Sequence, residues 1–174
     1  MKRTIYTIGH STHTADEFVS IIHAHGIETV VDVRSVPGSR HNPQFNKEEL
    51  EKTLREQKMD YVHLKALGGL RHTTKASVNT GWRNASFRGF ADYMQTPEFA
   101  GGIEELIELA REKKVAIMCS EAVPWRCHRS LIGDALLVRG FHVEDIMSAA
   151  TSKPHSLTPW AKVAGKEITY PGVI

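Results

Sequence analysis

Residues 115–140 read VAIMCSEAVPWRCHRSLIGDALLVRG: an apolar run, a polar turn, then a segment with the character of an amphipathic helix. Val115 to Met118 is a short continuous apolar run of the kind buried on both faces of a parallel sheet. The helix continues to Arg139, and Gly140 ends it. Between strand and helix, Cys119 to Arg129 holds two cysteines, a glutamate, two arginines, a histidine and a tryptophan. A connection in a small α/β protein has no structural need of so many reactive side chains.

Upstream, the same alternation repeats. Thr4 to Gly9 (TIYTIG) is a β-branched and aromatic run closed by glycine, hence a first strand. Thr14 and Glu17 have the spacing of a capping box, and Phe18, Ile21, Ile22 and His25 follow at helical intervals up to Gly26. Thr29 to Val33 is a second buried strand, and the breaker-rich residues 34–43 form a loop. Asn46 and Glu49 open a second helix carried by Leu50 and Leu54, and Asp60 to Leu64 is a third strand. Residues 65–86 are expected to be a long loop of the kind that serves as a lid or a binding segment, with Trp82 and Phe87 needing something to pack on. A short helix is expected from Phe87 to Met94. A stronger one starts at Thr96-Pro97, with Phe99, Ile103, Leu106, Ile107 and Ala110 as its apolar stripe. Downstream, His142 to Met147 reads as a fifth strand, and the tail from about residue 149 lacks clear periodicity.

The expected fold is therefore a single α/β domain over residues 1–174, three-layered, with a mostly parallel sheet of about five strands and helices on both faces. In such sheets ligands bind beyond the carboxyl ends of the strands. Three of those ends carry polar groups: Gly9-His10-Ser11, Arg34-Ser35 and Cys119-Ser120-Glu121. The fold would bring them to one crevice.

Composition narrows the classes of function. The chain has 174 residues and a net charge of +2, enough for one core and too near neutrality to imply a polyanionic partner. No apolar run reaches the length of a membrane span, and the N-terminus lacks a signal-peptide core, so a cytoplasmic address without membrane attachment is expected. Two cysteines are too few for a disulfide scaffold. Charge is nevertheless segregated. Residues 61–91 and 33–45 contain no acid, whereas acids gather at 98–112, a pattern that fits an electropositive mouth suited to a small anion and fits equally solvated loops that simply differ in charge.

Cys119 at a strand end, with Arg126 and Arg129 flanking a helix start, has the makings of a nucleophile in an anion cradle. It equally fits an inert cysteine closing a core strand. Glu121 is a candidate base or arginine partner, and His10 and His128 are candidate acid–base groups. His10 also fits a histidine that simply donates to a backbone carbonyl. Ser11, Arg34, Ser35, Arg40, Arg126, Cys127 and Arg129 are the expected anion-binding set. The Cys-x7-Cys-His spacing matches none of the common zinc arrangements, so no metal or cofactor is expected. A second class of function, a nucleotide or single-strand nucleic-acid binding module, rests on the basic stretch 61–91 with Trp82 and Phe87 for stacking. Oligomeric state is not legible.

The segments IYTIGHST, VVDVRSVPGSRHNPQF, YVHLKALGG and CSEAVPWRCHRSLIGDALLVRG, in that order, resemble the bacterial and archaeal "domain of unknown function 488" family. The tail with His155, Thr158 and Pro159 is also similar to that family's ending. The resemblance implies a compact α/β domain and no established reaction. Its Cys-x-Glu…Pro…Cys-His-Arg signature falls on Cys119, Glu121, Pro124, Cys127, His128 and Arg129. A looser likeness of layout links VVDVRS and the strand-end cysteine to rhodanese-like domains. Here, however, six residues separate Cys119 from Arg126.

Overall fold

The structure is a computed structural model that describes residues 3–38 and 40–172. Five parallel strands form the sheet: β1 (Thr4–Gly9), β2 (Thr29–Asp32), β3 (Asp60–His63), β4 (Val115–Cys119) and β5 (His142–Ile146). A sixth, β6 (Ser152–Pro154), pairs antiparallel to β5 at the edge, giving the order β3-β2-β4-β1-β5-β6. Two further short strands, β7 (Lys162–Ala164) and β8 (Glu167–Thr169), make a separate hairpin. The expected parallel α/β sheet is present. The tail, expected to be irregular, contributes three three-residue strands, which are too short to show a period of two.

The layers follow from handedness. The connections β1 to β2 and β2 to β3 move toward one edge through α1 (Ala15–Ala24) and α2 (Lys47–Glu56). The connections β3 to β4 and β4 to β5 move back through α4 (Pro97–Glu112) and α5 (Arg129–Val138). Right-handed crossovers running in opposite directions place their helices on opposite faces. The core divides accordingly. Val30, Ala116, Met118 and Ile8 pack with Phe18, Ile22, Leu50 and Leu54, while Val31, Val115, Ile117 and Cys119 pack with Ile103, Leu106, Leu131 and Leu136. Cys119 therefore points to the α4–α5 side.

Local signals explain the helix ends. Thr14 and Glu17 form the expected capping box, with Thr14 N donating to Glu17 Oε1 at 2.8 Å and Glu17 N to Thr14 Oγ1 at 3.1 Å. Gly26 follows α1 with φ +70°, a conformation that glycine adopts without strain. The helix expected from Phe87 begins earlier, as α3 (Ala85–Tyr93), because Asn84 Oδ1 accepts from Ser86 N at 2.8 Å.

The long segment 65–84 is pinned rather than loose. Asp92 on α3 accepts from Thr73 Oγ1 and Thr74 N at 2.8 Å, Ser77 Oγ at 2.6 Å and Asn79 Nδ2 at 2.7 Å. Trp82 stacks on Phe87 at 4.9 Å and meets Trp160 at 5.0 Å and Tyr170 at 5.6 Å, so the tail supplies part of its packing. A second carboxylate, the buried Asp134 on α5, fastens the tail by accepting from His155 Nε2 at 2.9 Å, Thr158 Oγ1 at 2.7 Å and Tyr170 OH at 2.8 Å. Among the described residues no helix is long and apolar enough to cross a membrane.

Candidate functional site

β4 lies between β2 and β1, and the chain leaves it toward the face opposite to the one taken after those two neighbours. This divergence opens a crevice at the carboxyl end of β4. Cys119 ends that strand opposite Gly9, and the loop after it turns tightly over β1. A Cβ at Gly9 would lie 1.7 Å from the Glu121 carbonyl oxygen, so only glycine fits there. The chain then makes a short 3-10 turn, Pro124–Arg126, before α5 begins at Arg129. The helix thus starts at Arg129, and Cys127, in the turn before it, is left facing Cys119.

The crevice has a volume of about 420 Å³. Cys119, Cys127, Glu121, Arg126, His128, Arg34 and Ser35 line it, so the fold brings together seven of the residues expected from sequence. Arg129 lies buried beneath it. His10 and Ser11 are not among its lining residues, and Arg40 borders a separate shallow depression with Pro37 and Lys47. A larger hollow of about 800 Å³ lies at the opposite, amino ends of the strands, around Asp60 and Lys113, with four glutamates of α4 on its wall. It holds none of the reactive side chains.

Two arginines at this end of the sheet are buried, with different surroundings. Arg34 is spent on structure: its Nε and NH2 grip Asp32 at 2.9 and 2.8 Å, and NH2 also donates to the Phe45 carbonyl at 2.7 Å. Tyr61 OH donates to the same Asp32 at 2.6 Å. His10 is held likewise. Its Nδ1–H donates to the Ser11 carbonyl at 2.8 Å, its Nε2 faces Arg34 NH1 at 3.4 Å, and its ring stacks on Phe45 at 4.3 Å. Burial, followed by the nearby Arg34 charge, pushes the His10 pKa down despite the bond to Ser11. Arg129 is 1% exposed. Its NH2 donates to the Ala122 carbonyl at 3.1 Å, but Nε and NH1 have no hydrogen-bond partner among the described residues.

Both thiols are free and buried, with Sγ atoms 2.8 Å apart and the Cys127 S–H donating toward Cys119. Burial alone would raise the Cys119 pKa. The Cys127 hydrogen bond and the Arg129 charge outweigh it and bring the thiol below its ordinary value. Cys127 moves the opposite way, because it is the donor to Cys119 and is itself buried. The Arg129 amide N–H reaches Cys127 Sγ at 3.5 Å. His128 is fixed as the Nε2–H tautomer by the carbonyls of Val33 at 2.9 Å and Leu67 at 3.1 Å, which leaves the Nδ1 lone pair 3.5 Å from Cys127 Sγ. Burial lowers its pKa to about 4, so the ring is neutral over the working range. Glu121 is exposed, with its backbone carbonyl, not its carboxylate, 3.5 Å from Cys119 Sγ. No group of three or more His, Cys, Asp or Glu side chains among the described residues is arranged to hold a metal ion.

Several contributors were not singled out from sequence. Gly68 and Gly69 let the loop after β3 close on the site: a Cβ would lie 2.5 Å from Ser35 Oγ at the first and 2.6 Å from His128 Nδ1 at the second. The Gly-Gly pair within YVHLKALGG was the available signal. Arg34, which has a carboxylate, and Arg129, which has none among the described residues, were expected alike as anion-binding residues.

The fold and site together define a parallel α/β protein with a dithiol and a buried arginine at a strand-end crevice. The chain belongs to the family described as "Domain of unknown function DUF488", which residues 14–136 match. The match runs from the capping box of α1 to the last turn of α5. The segment IYTIGHST, apart from its neighbours beyond Thr14, and the tail with His155 therefore lie outside it. No curated protein and no solved structure matches the chain.

Proposed function

We propose that this protein is an enzyme of thiol chemistry, in which Cys119 acts as a thiolate nucleophile on a small anionic molecule, phosphorylated or sulfur-containing, bound in the crevice. One observation carries the reading. The Arg129 guanidinium is buried with two donor atoms that have no partner among the described residues, beside the chain's only two thiols. An unbalanced buried cation is costly, and a negative charge on Cys119 or on a ligand offsets it. Arg126 and Ser35 at the crevice wall supply further donors for an anion. Trp82 and Phe87, which a nucleic-acid-binding module would need for stacking, are half-buried against each other and the tail, and Arg71 lies over the Tyr93 ring at 3.7 Å. The thiol reading is therefore the better supported of the two.

The test is the pH dependence of iodoacetamide alkylation, with the modified residue identified by peptide mapping. Cys119 is expected to react as a thiolate below the ordinary thiol pKa of about 8.5, and phosphate or thiosulfate is expected to slow the reaction. An ordinary titration without protection by either anion would refute the proposal.

A further inference from the structure

Nucleophilic attack by Cys119 leaves Cys127 without a role, yet Cys127 is buried with its Sγ directed at Cys119 Sγ. We infer that Cys119 and Cys127 form a two-electron redox couple, and that the substrate is a small disulfide, which the couple reduces in two exchange steps. This rests on the reading of Cys119 as the nucleophile and narrows its substrate class. A phosphoryl or acyl group held on Cys119 would be released by water and would gain nothing from a second thiol. A mixed disulfide on Cys119 needs a thiol aimed at its sulfur, and Cys127 Sγ stands 2.8 Å from that atom. A disulfide bond of about 2.0 Å is then within a small side-chain adjustment.

The environment differentiates the two sulfurs as such a couple requires. Cys119 accepts the only S–H directed between them and is the thiol whose anion the site favours. Cys127 keeps its proton until attack. Its sulfur faces the Arg129 amide N–H, which stabilises a thiolate as it forms, and the bare Nδ1 of His128, the nearest basic atom. The weak basicity of that nitrogen suits a transient acceptor rather than a store.

The steps balance as follows. The Cys119 thiolate attacks one sulfur of the substrate R–S–S–R. The S–S bond breaks, R–S⁻ leaves and takes a proton from solvent, and Cys119–S–S–R forms. Cys127 passes its proton to His128 Nδ1 and attacks Cys119 Sγ. The second R–S⁻ leaves and is protonated by that imidazolium, and a Cys119–Cys127 disulfide remains. The substrate gains two electrons and two protons. The protein loses two electrons and the Cys127 proton, and solvent supplies the other proton, the one Cys119 released on ionising. An excess of small thiol reverses the exchange to reset the couple.

Oxidised glutathione is the probe, reacted with the native chain and read by intact mass after acid quench. The wild-type chain is expected to finish without an adduct, lighter by its two thiol hydrogens, with two free thiols released per chain. Cys127→Ser is expected to stall with one glutathione on Cys119, and Cys119→Ser to react at least ten-fold more slowly at Cys127. A wild-type chain that keeps its adduct, or oxidation by hydrogen peroxide but not by the disulfide, would overturn this inference. In either case rapid low-pH alkylation of Cys119 would leave the nucleophile standing. No reaction with the disulfide in either the wild-type chain or Cys127→Ser, together with no low-pH alkylation, would remove the two readings together.

Discussion

His155 joins the tail to the sheet and gives the fold a pH dependence of definite sign. Its Nε2 is 2.9 Å from Asp134 and its Nδ1 is 3.7 Å from Asp145, which also accepts from Thr7. Burial by itself would lower its pKa, but the two carboxylates outweigh burial and raise it from 6.5 to about 9. The folded state therefore favours the imidazolium. The resulting stability is fully present below pH 6.5, where the unfolded chain also carries the proton, and is lost as pH rises through about 9. At about 1.36 kcal/mol per pH unit, the contribution is about 3 kcal/mol. Urea unfolding followed by circular dichroism from pH 6 to 9.5 tests this against His155→Gln. The wild-type chain is expected to lose about 3 kcal/mol more than the variant across that range, with the excess concentrated between the two pKa values. Parallel curves would refute the imidazolium bridge, because every other titrating group is common to both chains.

Three further outcomes follow from the same contacts. Gly9→Ala drives a Cβ into the Glu121 carbonyl and is expected to cost about 1–3 kcal/mol in urea unfolding, with the 120–123 loop displaced. Arg129→Met removes a buried charge that is largely unpaired. Stability is expected to hold within about 1 kcal/mol while Cys119 alkylation at pH 7 slows ten-fold or more, read by unfolding and alkylation on the same sample. Asp92→Ala frees four donors of the 73–79 segment and is expected to lower stability by about 1–3 kcal/mol, with hydrogen-exchange protection lost there and kept at β4.

Strands β2 and β4 were legible as short apolar runs buried on both faces, and β1 as a β-branched and aromatic run closed by glycine. Strands β3 and β5 carry charged residues, are partly exposed, and were legible mainly from their place between helix signals. Strands β6 to β8 were not legible. They are three residues each, and their positions depend on Asp134 and on Trp82 packing, contacts that link positions tens of residues apart. The 65–84 segment was recognisable as long and aromatic, but its anchor, Asp92, lies in the following helix and looks like any surface acid. The thiol crevice was readable as a place because chemistry-bearing residues cluster at one strand end. The partition of that cluster was not. Asp32 and Arg34 sit two apart, which places both side chains on one side of an extended chain, and this pairing removes Arg34 from the pool of free cations.

That partition bears on how the crevice works. Two buried guanidiniums near one strand end would ordinarily both demand carboxylates, and Asp32 satisfies only Arg34. Glu121, the nearest acid in the sequence to Arg129 on its N-terminal side, is exposed and leaves Nε and NH1 unpaired. Arg129 also stands at the first residue of α5, where the helix dipole disfavours a cation. Two effects therefore favour an anion at this point, the missing carboxylate and the helix dipole, and they act against the cost of burying a charge. The group in place to become that anion is the Cys119–Cys127 pair, whose single directed S–H already distinguishes acceptor from donor. A purely structural role for the two cysteines would be served as well by a neutral side chain at 129, and this is why the stability and the reactivity of Arg129→Met are expected to part company.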